Sequence, residues 1–67
     1  MPEERGYRAY FFSASDHIRD VRGIKVSRDL DAIAEAQAML AKSEYAFVEV
    51  YEEWRLVWRS DRERLVA

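Results

Sequence analysis

Short aromatic or β-branched runs alternate with polar breaks along this chain, and one alanine-rich segment divides it near the middle. Tyr7 to Ala14 (YRAYFFSA) is short and aromatic-rich, as strands are. Its two faces read Tyr7, Ala9, Phe11, Ser13 and Arg8, Tyr10, Phe12, Ala14. Both carry aromatics, which predicts a central strand or one half-covered from outside the chain. Ser15-Asp16-His17 has turn composition, and Ile18 to Val26 (IRDVRGIKV) returns as a second, partly exposed strand. Its alternation falters at Gly23, where a bulge is expected.

Leu30 through Lys42 (LDAIAEAQAMLAK) lacks Gly and Pro, contains one β-branched residue, Ile33, and predicts a helix. Ser27 or Asp29 is placed to cap it, and Asp29 and Asp31 put negative charge where the helix dipole favours it. At about 100° per residue, Leu30, Ile33, Ala36, Gln37, Leu40 and Ala41 share one stripe, opposite Asp31, Glu35, Ala38 and Lys42. Ser43-Glu44 closes the helix. Tyr45 to Tyr51 and Trp54 to Ser60 are two further strands. A two-residue loop at Glu52-Glu53 needs positive φ at a glutamate, so a three-residue loop, Glu52 to Trp54, is expected. That register pairs Val50 with Leu56 and Val48 with Trp58. It leaves Phe47, Glu49, Tyr51, Arg55, Val57 and Arg59 on the other face.

The order ββαββ predicts an α+β domain over residues 7–60, a four-stranded, largely antiparallel sheet with one helix packed on one face. Met1 to Gly6 is expected to be a disordered lead and Asp61 to Ala67 a frayed tail.

Three strings together resemble a family of short, uncharacterised bacterial proteins. Tyr10, Phe11, Ala14, His17 and Ile18 match a first element, Y-x-Y-F-L-D-A-D-G-H-I. Ala32 and Ala36 match a second, D-D-x-x-A-x-x-x-A, and Glu49, Val50, Arg55, Leu56 and Val57 match a third, E-V-W-D-G-x-R-L-V. Ser13, Ser15 and Asp16 stand where that family has Asp, Asp and Gly, and Glu53 replaces its second Gly. The resemblance covers most of residues 7–59. It implies the hairpin–helix–hairpin fold, and implies no activity or cofactor.

Composition sharpens the picture. A chain of 67 residues buries only about 60% of the surface its unfolded form exposes, and a core of this size rarely supplies more than ~3–5 kcal/mol. There is no cysteine and one histidine, His17, so neither disulfides nor a Cys/His zinc site can staple the fold. With 49% hydrophobic and 13% aromatic residues the chain is too apolar to stay disordered. Eleven Lys+Arg against 13 Asp+Glu give a net charge of −2, without the basic excess of a phosphate-backbone binder. The longest mainly apolar stretch, Tyr45 to Tyr51, is far short of the ~20 residues of a membrane helix. Met-Pro-Glu-Glu-Arg-Gly is polar with no apolar run of signal-peptide type behind it, so the expected compartment is the cytoplasm.

Few residues suggest chemistry. His17 follows Ser15 and Asp16, but residues this close in a turn do not reproduce the geometry of a nucleophile, a base and its orienter. Asp29, Asp31 and Glu35 lack EF-hand spacing and are explained by the helix dipole. No catalytic residue, metal or cofactor is therefore expected. Arg55 and Arg59 among Trp54, Val57 and Trp58, and Arg8 with Tyr7 and Tyr10, have the make-up of a single-stranded nucleic-acid platform, the alternative reading, but the RNP motif is missing.

The more informative feature is a surplus of rings. Tyr10, Phe12, Val48, Val50, Leu56, Trp58, Ile18, Ile24, Leu30, Ile33 and Leu40 suffice to fill a core under one helix. Tyr7, Phe11, Phe47, Tyr51, Trp54 and Val57 are then left over. Such a patch marks an interaction surface. The expectation is a non-catalytic binding or homo-oligomerising module: a homodimer joined through this face or an edge strand, or a complex with another protein, with Phe11, Phe47, Tyr51, Trp54, Arg55 and Arg59 as the contact surface.

Overall fold

The computed structural model describes residues 4–60, and the frayed tail expected at 61–67 lies outside them. Four strands, β1 (Arg5–Phe12), β2 (Ile18–Val26), β3 (Phe47–Glu52) and β4 (Arg55–Arg59), and one helix, α1 (Asp29–Ala41), follow the order ββαββ. The strands form one sheet in the order β2-β1-β3-β4, every neighbouring pair antiparallel. Since β2 and β3 both run antiparallel to β1, the helix connects two parallel strands by crossing over the one between them.

Which face the helix covers is decided by β1. Tyr7, Ala9 and Phe11 are buried, while Arg8 is exposed and Tyr10 and Phe12 are half-buried. The core is therefore Tyr7, Ala9, Phe11, Ile24, Val48 and Val50 beneath Ala32, Ala36 and Leu40. This inverts the expected allocation, in which Tyr10 and Phe12 filled the core and Tyr7 and Phe11 were spare. The cause is volume: two alanines let the helix approach closely enough to rest on the large rings of Tyr7 and Phe11, and Ala9 leaves room between them. The buried stripe accordingly runs Ala32, Ala36, Leu40, and Leu30, expected in the core, is 71% exposed.

Other boundaries differ for local reasons. β1 begins at Arg5 instead of Tyr7, and Arg5 is held by a bidentate ion pair to Glu52. The residue before the helix is Arg28, with no side-chain cap; neither Ser27 nor Asp29 serves, and the Asp29 carboxylate is bound elsewhere. At the other end the Ser43 hydroxyl donates to the Leu40 carbonyl at 2.9 Å. The bulge in β2 falls between the Phe11–Asp20 and Phe12–Ile18 pairs, leaving Arg19 unmatched, whereas Gly23 pairs regularly with Arg8.

The second hairpin uses a two-residue loop, Glu53-Trp54, between the paired residues Glu52 and Arg55. A bulge between Val50 and Tyr51 then shifts the register, so Leu56 pairs with Tyr51 and Trp58 with Val50. Trp58 thus meets the helix side as expected. Leu56 and Arg55, on the turn side of the bulge, exchange faces with the expected arrangement, and Val57 packs against the core. Among the described residues two non-glycines have positive φ, Asp16 at 70° and Glu53 at 57°.

Candidate functional site

Three groupings of polar or aromatic side chains stand out, and the first is a clasp at the start of the helix. Arg5 donates from Nε and Nη2 to the two carboxylate oxygens of Glu52 at 2.7 and 2.6 Å. Arg55 donates to Glu52 at 2.6 Å and to both oxygens of Asp29 at 3.3 Å. The Tyr7 hydroxyl donates to Asp29 at 2.6 Å. Two cations, two anions and a phenol close on one another and tie α1 to β1, β3 and β4. The two arginines hold the Glu52 carboxyl down to about 2. Tyr7 and Arg55 hold that of Asp29 below the usual range. Burial, with the Asp29 hydrogen bond behind it, pushes the Tyr7 phenol up to about 12. Arg55, expected on the contact surface, is turned to the helix side and engaged here. The clasp is structural.

The second grouping is the turn after β1. The Ser13 and Ser15 hydroxyls lie 3.0 Å apart, and Ser15 Oγ is 3.0 Å from His17 Nδ1. All three sit in a loop closed by the Ser13 amide on the His17 carbonyl at 2.8 Å, and Ser15 and His17 are exposed. Asp16 occupies the positive-φ corner of that loop. Hydrogen bonds within a turn account for each of these groups.

The third is the sheet face opposite the helix. Tyr10 meets Tyr51 edge to face at 5.6 Å, and Phe12 stacks on Phe47 at 4.7 Å. These are cross-strand neighbours, since Arg8 pairs with Tyr51, Tyr10 with Glu49 and Phe12 with Phe47. The Arg59 guanidinium lies 5.1 Å from the Phe47 ring centroid and pairs with Glu49 at 3.4 Å, while the Tyr51 hydroxyl donates to Glu49 at 3.0 Å. Around the rings lie exposed Ile18, Val21 and Leu56, and Trp54 at the β3–β4 turn is 86% exposed. A shallow trough lined by Tyr10, Phe12, Ile18, Glu49, Tyr51 and Trp54 runs along this face.

Of the six residues expected to form a contact surface, Tyr51, Trp54 and Arg59 stand on or beside this face. Phe47 belongs to it but is only 3% exposed, under Phe12 and Arg59. Phe11 is in the core and Arg55 in the clasp. Tyr10, Phe12 and Leu56 were missed as members of the face. A signal for the first two existed: Arg8 shares their parity, which marks it as the water side, and Ala9 shares that of Tyr7 and Phe11, which suits close approach of a helix.

The chain matches no family model, no curated protein and no solved structure. Among the described residues, no group of three or more His, Cys, Asp or Glu is arranged to hold a metal ion, and no helix is long and apolar enough to cross a membrane.

Proposed function

We propose that this protein is a non-catalytic homo-oligomerising module of the cytoplasm whose open sheet face joins two copies of the chain. One observation carries the reading: a single alanine-rich helix covers one face of the sheet, and the other presents paired rings with Ile18, Val21, Leu56 and Trp54 exposed around them. Aromatic side chains bury large areas and are enriched where proteins meet. A core of this size supplies little stability by itself, and a second copy adds apolar burial without new sequence.

Of the three arginines that suggested a nucleic-acid platform, two are committed to carboxylates, Arg55 to Glu52 and Asp29 and Arg59 to Glu49, and Arg8 alone is exposed on the open face without such a partner among the described residues. Glu49 also puts negative charge in the middle of the ring surface, which repels a phosphate backbone. The test is sedimentation equilibrium at micromolar concentration. The reading expects a mass near twice 8.0 kDa, reduced by Trp54→Ala with the fold intact. A clean 8.0 kDa species whose mass rises only when single-stranded oligonucleotide is added would replace this reading with the platform.

A further inference from the structure

One end of the open face holds a feature the aromatic pairs do not explain. Gly6 and Gly23 both lie on this side, Gly6 opposite Lys25 and Gly23 opposite Arg8. Neither has positive φ, and a Cβ at either position meets nothing within 4 Å, so neither glycine is demanded by backbone conformation or by space within the chain. What they leave is a hollow of about 770 Å³, floored by bare backbone and bordered by Arg8, Lys25, Glu53 and Trp54. Five other arginines of the described residues, Arg5, Arg22, Arg28, Arg55 and Arg59, are paired with carboxylates. Among the described residues Arg8 and Lys25 take part in no ion pair, as Arg19 and Lys42 do not, and neither does Glu53 at the rim.

A two-fold interface requires a patch that is complementary to itself, because each residue meets the partner's copy of a different residue. This patch meets that requirement twice over. It holds a protruding ring, Trp54, beside an empty hollow, and unpaired charges of both signs on one rim. We infer that Trp54 of each copy seats in the glycine-floored hollow of the other, with Glu53 of each facing Arg8 and Lys25 of the other. The occupant is a second copy of this chain, and the inference rests on the self-association proposed above while adding where and how the copies meet. It also gives Gly23 a reason: a side chain there fits in one molecule and blocks the partner's ring.

Sedimentation equilibrium on three variants and one mixture tests this arrangement. Gly23→Val, a β-favouring residue placed in open space, is expected to keep the thermal midpoint of a dilute sample while raising the dimer dissociation constant by at least about tenfold. Glu53→Lys alone, and Arg8→Glu with Lys25→Glu alone, are each expected to be monomeric, since every copy then faces like charge. Mixing those two restores the dimer as a heterodimer in which both charge contacts are attractive. A wild-type dimer unaffected by Gly23→Val and by either charge reversal overturns this arrangement and leaves the open-face reading standing. A wild-type monomer at all concentrations overturns both. Single chains that bind a single-stranded oligonucleotide through Arg8 and Lys25 also overturn the arrangement, assigning the hollow to nucleic acid.

Discussion

On the helix side of the sheet Tyr7 and Phe11 lie beneath Ala32 and Ala36, large rings against small residues, all almost fully buried. On the open side Tyr10 and Phe12 come from the same strand and meet rings across to β3, Tyr51 and Phe47, with Val21 and Ile18 opposite them on β2. The strand, the pleat and the residue types are the same, so the difference lies in what is laid over each face. A helix with alanine at two successive turns can close on rings. A bare sheet can only pair rings with one another and leave their outer edges to water. Aromatic content alone therefore does not mark a core; a small residue on the facing element does.

The contrast breaks most visibly under truncation. Phe11→Ala should cost about 3–5 kcal/mol, most of the stability of a domain this small, and leave it largely unfolded in a urea titration. Phe12→Ala removes the same ring one residue along and should cost about 1–2 kcal/mol, since that ring keeps part of its surface in solvent and no helix lies over it. Equal losses would mean that the open face is as enclosed as the covered one.

Overfilling separates the faces by a smaller margin. Ala36→Leu has no room between α1 and the sheet and should lower stability by about 1–3 kcal/mol in the same titration. Leu30→Ala, on the exposed side of the same helix, should stay within about 0.5 kcal/mol.

The β3–β4 turn offers a change of opposite sign. Glu53 has φ of 57°, a conformation that glycine adopts without strain, so Glu53→Gly should stabilise the fold by up to about 1 kcal/mol in thermal melts. The same substitution removes a charge inferred to face the partner. A higher melting temperature together with weaker association would sharpen the line between what the fold needs and what the face needs.

At neutral pH the clasp at the helix start makes no contrast, and its signature emerges only at the extremes. The Glu52 carboxyl is ordinarily near 4.5 and is held down to about 2, so the folded chain binds fewer protons there than the unfolded one. Stability from this group is complete above about pH 4.5 and is lost as pH falls toward 2. The Tyr7 phenol, raised from 10.0 to about 12, behaves inversely: its contribution is complete below pH 10 and is lost as pH rises toward 12. Denaturation midpoints across pH should show both limbs, and Tyr7→Phe should reduce the alkaline one, to which the Tyr51 phenol, raised by its hydrogen bond to Glu49, also contributes. An alkaline limb unchanged in that variant would place its origin in another group.

Much of this architecture was legible in the residues. Element order, the span of β2, the helix within one residue and the helix side of Val48, Val50 and Trp58 all followed from periodicity and turn composition. The parity of β1 did not, because aromatics on both faces leave hydrophobicity unable to choose; only the placement of Ala9 and Arg8 separates them. The second hairpin misled for a different reason. A two-residue turn without glycine is unfavourable on sequence grounds, yet Glu53 adopts positive φ, and a bulge at Val57 restores the register beyond it. Arg55 and Leu56 lie between the two irregularities, so these two changed faces. Of the residues expected on a contact surface, Phe11 lies in the core and Arg55 on the helix side, each displaced by one of these parity effects.

Intermolecular nuclear Overhauser effects in a mixed isotope-labelled sample address the central claim most directly, because they name the face that meets a partner. The account predicts cross-peaks between copies from the ring protons of Trp54, Tyr10 and Tyr51 and the methyls of Leu56, with none from Phe11 or Leu40. Intermolecular contacts confined to the helix surface around Leu30, or absent at millimolar concentration, would contradict it.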